Sequence, residues 1–547
     1  MADPAFTRSR PGAPNRGRRR GHVALALAAG LIVAGPAAAQ VQVQSLAAPD
    51  MFSVGGGASD LPTDLWQGSS GALARLVIPL LAARPPSPAA ASLARHVLEV
   101  GASGPEGAGN DPDLAGARAE ALLQLGDLSA AQAIADGAPN LPQLTAMSRV
   151  AAEAALIAGQ DDKACAVGDN LVMGREGAFW QRLRAYCQAR AGQSAPAQLT
   201  LELAEQQEHR PGFERLMGAL IGGPAPGAAT APALDDALDF AISRRLGLDW
   251  IPAMAAAPAS IAVAVARDPA ASPPARLAAA ARAARLGVAT PAAYAALTPA
   301  PTALPAADVP GPQGEATLVA LAAATNDLTL KESAIIALLR RAKDGPEFQA
   351  LARLVTPAMG QLMAARPVLR QPLLFAMAAA AEGDVASAKA ARAQVGQGGS
   401  PPAPADLAIL DALIGVASTP ADPAAADALV AAAAQADGPV RARTSGALAL
   451  LGGYAPLGPQ ARFDVAGSDP GAGASSAGRR LALEQAAEQG RIGDTALYVL
   501  QTCAESGPAG PSAGERAMMV RALRLAHLDA DARAFAIEGL VALQAGF

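Results

Sequence analysis

Apolar positions in this chain recur at helical spacing in stretches rich in Ala and Leu, and each stretch stops at a cluster containing Gly or Pro. The breaks fall at 84–86, 101–112, 222–232, 299–314 and 396–404, with a longer one at 452–478. Runs in which β-branched or aromatic residues alternate with polar ones are scarce, so no sheet is expected. The pattern predicts an all-α protein. Towards its C-terminal end it predicts two helical hairpins, one pairing 479–488 with 495–505 and one pairing 515–526 with 531–543.

The most informative internal signal is a period. Leu125-Gly126-Asp127, Ala158-Gly159-Gln160 and Ala191-Gly192-Gln193 each end a helical run, in steps of 33 residues from 126 to 159 and from 159 to 192. Every copy has Ala seven places before the Gly (Ala119, Ala152, Ala185) and five places after it (Ala131, Ala164, Ala197). Gly383 repeats both offsets with Ala376 and Ala388. Two helices that cross closely need a small residue at the contact, and a left-handed turn that ends the first helix favours Gly. Ser129, Asp162 and Ser194 stand about where the second helix needs an N-cap.

On these turns, the stretch from about 114 to 210 resembles tetratricopeptide or related Sel1-type repeats, whose period is near ~34 residues. The resemblance implies an α-solenoid of antiparallel helix pairs with a concave binding face. It departs from the family at the large interior residues, which are Ala or Leu here except at Trp180 and Tyr186. As a whole the chain is also similar to Ala-rich exported proteins of alphaproteobacteria, a likeness that brings no function with it. The organisation expected is a signal peptide at 1–39, a flexible leader at 40–63 and tetratricopeptide-like repeats at 64–221. A Pro-interrupted helical middle follows at 222–314, then a helical repeat region at 315–451, a flexible loop at 452–478, and at 479–547 helical hairpins that cap the array with a polar outer face.

Composition adds the address. Hydrophobic residues make up 51% and charged residues 17%, which excludes wholesale disorder, and aromatics reach only 3%, so close Ala contacts must fill the core. A basic stretch with Arg16, Arg18, Arg19 and Arg20 precedes an apolar run over 23–33 and then Ala37-Ala38-Ala39, the succession of a secretory signal cleaved after Ala39. That run is too short for a bilayer span of ~20 apolar residues, and no later stretch is long enough either. Loss of 1–39 removes six Arg and one Asp and takes the formal charge from −5 to −10. An acidic chain without basic clusters is unsuited to nucleic acid or to an electrostatic hold on anionic lipid. The expected location is the periplasm, and the expected partner is another envelope or periplasmic protein.

Candidate chemistry is sparse. His96, His209 and His527 come from three separate regions, and no phosphate-binding loop, His-Glu-x-x-His motif or calcium loop occurs. We therefore expect no catalytic residue, metal or cofactor. Gly68-Ser69-Ser70-Gly71 suits a turn before a helix better than a nucleophile elbow, because no strand precedes it. Trp66, Trp180 and Trp250 suit core anchors. Glu332-Ser333 and Glu505-Ser506-Gly507 resemble the catalytic signature of soluble lytic transglycosylases, periplasmic enzymes with a long α-superhelix. Around Glu505 that signature lacks its aromatic residues and its Gly-Leu-Met-Gln segment. The function expected is a non-catalytic protein-binding adaptor or scaffold; the alternative is a peptidoglycan-processing or peptidoglycan-binding factor.

Cys165 falls near the start of one second helix and Cys187 near the end of the next first helix, with Glu176 in the turn at their midpoint. A hairpin hinged there brings the two level, and an oxidising compartment would close any pair that geometry allows. The pairing expected is Cys165 with Cys187, leaving Cys503 as a lone thiol. Two buried small apolar residues are the other fate open to the pair.

Overall fold

A computed structural model describes residues 50–544 apart from 84–85, 224–229, 290, 306–308, 366, 398–400, 468–474 and 508–509. The expected signal segment, its cleavage site after Ala39 and the first part of the leader lie outside the described residues. The helices begin with α1 (Gly71–Ala83), α2 (Pro88–Leu98), α3 (Pro112–Gln124), α4 (Leu128–Asp136), α5 (Thr145–Ile157), α6 (Asp161–Asn170), α7 (Ala178–Arg190), α8 (Ser194–Gln207) and α9 (Pro211–Gly222). The middle carries α10 (Ala237–Arg245), α11 (Ile251–Met254), α12 (Ala259–Arg267), α13 (Pro273–Arg285) and α14 (Pro291–Ala295). Next come α15 (Gly311–Ala324), α16 (Leu328–Leu339), α17 (Gly345–Ala364), α18 (Pro372–Ala381), α19 (Val385–Arg392), α20 (Pro404–Ala417), α21 (Ala425–Gln435), α22 (Gly438–Tyr454) and α23 (Pro459–Gly467). The last are α24 (Ala477–Glu488), α25 (Ile492–Glu505), α26 (Ala513–Leu525) and α27 (Asp529–Ala542). No strand occurs among the described residues, so the fold is all-α.

The glycine turns join α3 to α4, α5 to α6, α7 to α8 and α18 to α19. Gly126, Gly159, Gly192 and Gly383 have φ of 88, 76, 78 and 76°. After each, the next N–H reaches back into the helix just ended, as Asp127 N does to Leu122 O at 2.9 Å and Gln160 N to Ala155 O at 2.8 Å. The alanines at the two offsets are buried in all four copies, which is what lets the paired helices approach. Because the turn is so tight, the expected caps sit one or two places too far along. Asp127 caps α4 by accepting from Ala130 N–H at 3.0 Å, with Ser129 already inside the helix. Gln160 and Gln193 begin α6 and α8 without a side-chain cap, so Asp162 and Ser194 lie in the first turn.

Neighbouring helices follow one another from α1 through α3, α5 and α10, and from α13 through α15, α17, α18, α20 and α22 to α26. The two ends of this path then meet: α25 packs on α1 and α2, and α27 packs on α2, α17, α20 and α22. Polar groups hold the junction. Gly493 N donates to Leu65 O at 3.1 Å and Ser70 N to Asp494 Oδ1 at 2.9 Å. Ala89 N donates to Glu538 Oε2 at 3.0 Å, and His96 bridges Asp531 (2.9 Å) and Asp60 (2.8 Å). The C-terminal hairpins were expected to cap the array with a polar outer face; they also bury Asp494, Asp531 and Glu538 against the first helices.

Two expected loops are likewise structured where they are described. From residue 50 the leader is packed, with Phe52 buried edge-on against Trp66 at 6.1 Å and Met51 N donating to Gly109 O at 2.7 Å. Two of its glycines serve close approach, since a Cβ on Gly56 would stand 2.5 Å from the Ala130 Cβ and one on Gly55 3.0 Å from Gly101 N. Arg118, fully buried on α3, donates to Leu98 O (2.6 Å), Val100 O (2.8 Å) and Phe52 O (3.2 Å) and thereby ties the leader to α2. In the 452–478 stretch α22 runs on to Tyr454 and α23 occupies Pro459–Gly467.

Candidate functional site: an arginine-rimmed groove

Most residues singled out for chemistry are spent on structure. Glu505 accepts from Arg479 Nη2 at 2.6 Å and from Gln501 Nε2 at 3.0 Å. Glu332 is held by the backbone N–H and Nε of Arg370 at 2.6 and 2.9 Å. His209 pairs with Glu214 at 2.6 Å, and His527 forms a left-handed turn with φ of 60°. Trp180 meets Phe179 at 5.1 Å and Trp250 meets Phe240 at 5.3 Å, both edge-on and buried. Ser69 is buried in the turn before α1. Cys165 and Cys187 are joined by a disulfide with Cα atoms 5.9 Å apart, and Cys503 is a free thiol that burial pushes up to about 12. Among the described residues no group of three or more His, Cys, Asp or Glu is placed to hold a metal ion, and no helix is long and apolar enough to cross a membrane.

A cleft of about 790 Å³ lies where the Gly126, Gly159 and Gly287 turns converge. Two of its arginines close helix C-termini: Arg95 donates to Leu125 O and Arg244 to Leu156 O, each at 3.1 Å, where orphan carbonyls and the helix dipole favour a cation. Arg244 also meets Asp161 at 2.8 Å. These cations are already engaged.

The second cavity differs. It is a groove of about 850 Å³ along the outer side of α26, continuous through Arg480, Met518, Arg521 and Leu525 with a further 320 Å³ towards α24. Helix α26 turns Met519, Val520 and Leu523 inward, yet also carries Met518 and Leu525, two turns apart, on its exposed side. The end of α22 forms the floor, and it comes close because Gly453 lacks a side chain: a Cβ there would be 2.4 Å from Ala517 O. Leu481 stands on α24 at 56% exposure.

Four arginines, Arg462, Arg480, Arg521 and Arg524, rim this apolar floor. Arg524 stacks on the Tyr454 ring at 5.0 Å and donates to the Tyr454 carbonyl, and Arg480 donates to Ser475 O at 3.3 Å. Arg462 and Arg521 have no ion-pair partner among the described residues. Glu515, the one acid lining the larger cavity, is committed to the backbone, accepting from Ser475 N at 2.7 Å and Ser512 N at 3.1 Å. Burial alone would raise its carboxyl, but these donors hold it below its ordinary value.

No family model, curated protein or solved structure matches this chain.

An apolar groove with a cationic rim suits an occupant that buries apolar side chains while presenting carboxylates, which guanidinium groups bind in forked geometry. Sequence reading missed this groove because its rim is drawn from three helices. One signal was legible: apolar residues at 518–520, 523 and 525 cover more of α26 than one inward stripe needs.

Proposed function

We propose that this protein is a non-catalytic periplasmic adaptor or scaffold of the cell envelope, built in part from tetratricopeptide-like helix pairs, which docks a segment of a protein partner in the α26 groove. The observation that carries the reading is the exposure of Met518, Leu525 and Leu481 beside four arginines in an otherwise acidic chain. Exposed apolar surface gathered in one concave place is characteristic of interaction sites. The basic, apolar and Ala-x-Ala succession before Gln40 and the Cys165–Cys187 disulfide both suit an oxidising compartment.

The test is affinity capture from an envelope extract with mature protein beside its Arg521→Glu and Met518→Asp variants. A partner retained by the parent and lost by both variants supports docking in the groove; capture indifferent to both changes would refute it. Intact mass of the periplasmic protein checks the address, with a chain beginning at Gln40 expected and a retained 1–39 segment in the membrane pellet counting against export.

A further inference from the structure

A groove of this chemistry asks for an acidic helix with an exposed apolar stripe, and this chain itself carries one. Helix α8 buries Ala197, Thr200, Leu201 and Ala204 against its neighbours. Its opposite face exposes Leu199 (61%) and Leu203 (44%), one turn apart. Among the described residues no other helix exposes two large apolar side chains at that spacing. Glu202 lies between the leucines, Glu205 follows, and α8 contains no Lys or Arg. Helix and groove also match in length: α8 has 14 residues and α26 has 13, about 20 Å each at ~1.5 Å per residue.

We propose that α8 of one copy docks in the α26 groove of a second copy, so that the protein assembles head to tail. Leu199 and Leu203 fill the apolar floor beside Met518 and Leu525, and Glu202 meets Arg521. The packing is that of an amphipathic helix laid in an apolar groove through residues one turn apart. Both surfaces are exposed in the same chain, so neither covers the other within it. The contact joins two different patches and is therefore heterologous, which builds a closed ring or an open row and not a two-fold dimer. The chain's own basic stretch at 16–20 is a poor occupant, because it has the same sign as the rim. This inference rests on the groove being a docking site.

The experiment is light scattering on the mature protein across a concentration series, with Leu203→Asp and Met518→Asp variants. The parent should rise above the monomer mass, and each variant alone should stay monomeric with an unchanged melting temperature. An equimolar mixture of the two variants should form a dimer and stop there, because one supplies an intact groove and the other an intact α8. Glu202→Arg with Arg521→Glu is the second pair should an Asp variant fail to fold. A parent that stays monomeric throughout, or a mixture that does, overturns head-to-tail assembly. A fluorescein-labelled acidic amphipathic peptide with leucines one turn apart separates the two readings. If the parent is monomeric but binds this peptide through Arg521, self-assembly fails and the docking reading stands; if neither associates, both fail.

Discussion

Replacing Arg118 by Met keeps the unbranched stem in place and removes the three donors that tie the leader to α2. Two of the bonds are short, to Leu98 O at 2.6 Å and Val100 O at 2.8 Å. The third, to Phe52 O at 3.2 Å, is backed by Ala102 N, which reaches the same carbonyl at 3.1 Å. Hydrogen bonds to a charged group contribute about 1.5–3 kcal/mol each, so the two short ones amount to roughly 3–6 kcal/mol. The low end applies, since burial pushes the guanidinium of Arg118 down to about 10 although the charge of Asp50 acts the other way, a sign of charge not fully compensated. A local loss of about 3 kcal/mol frees the 98–100 segment, whose Glu99 carbonyl receives the leader's Gly56 N–H, so the leader loses that hold roughly 100-fold more often. Amide hydrogen exchange reads this at Met51 and Gly56, whose N–H groups bond Gly109 O and Glu99 O. Exchange within threefold of the parent at both amides would refute the reasoning.

Enlarging the fully buried Ala164 to Leu should wedge α6 from its neighbours and cost about 1–3 kcal/mol; a melting temperature equal to the parent's would show the helix register to be wrong. Thiol counting on denatured, unreduced protein should find one free thiol, Cys503, and three would contradict the disulfide. Stability should fall as pH rises from about 5 to 9.5. The hydrogen bond from Asp531, with help from Asp60, raises His96 from its ordinary 6.5 to about 9, so its contribution is complete below 6.5 and lost through 9. Burial lifts Glu153 and Glu382 from 4.5 to about 7, so the fold holds protons there that the unfolded chain releases, and stability falls over that window too. Melting temperatures at pH 5, 7 and 9.5 check the sign; a flat or rising series would contradict it, and His96→Gln should flatten the upper limb.

What was legible in the sequence is what local geometry dictates. A left-handed turn between close helices needs Gly and small neighbours, and Gly126, Gly159, Gly192 and Gly383 carry that requirement in their spacing. Gly287 makes the same left-handed turn, with φ of 74° and Ala280 buried seven places before it, but Ala292 at the second offset is exposed, so only half of the pattern is met there. At 527 the same turn is made by His, so a search for Gly could not find it. The junction of first and last helices was hidden, because Ser70 with Asp494 and Ala89 with Glu538 are joined across more than 400 residues and leave no periodic trace. The leader was expected to be flexible, but in it Gly55 and Gly56 mark close approach and not freedom. The groove stayed hidden for a related reason: Arg462, Arg480 and Arg521 each suit a solvated helix face, and only packing of α23 on α22 and of α24 and α22 beside α26 gathers them around one apolar floor.

The central claim, that the α26 groove is occupied when the protein works, is tested most directly by thiol labelling in the periplasm. Met518→Cys places a thiol in the groove, and Val368→Cys places a control at a position 92% exposed and away from it. The account predicts that Cys at 518 reacts readily in dilute purified protein and slowly in intact periplasm, while the control reacts alike in both. Equal labelling of both positions in both settings would contradict it.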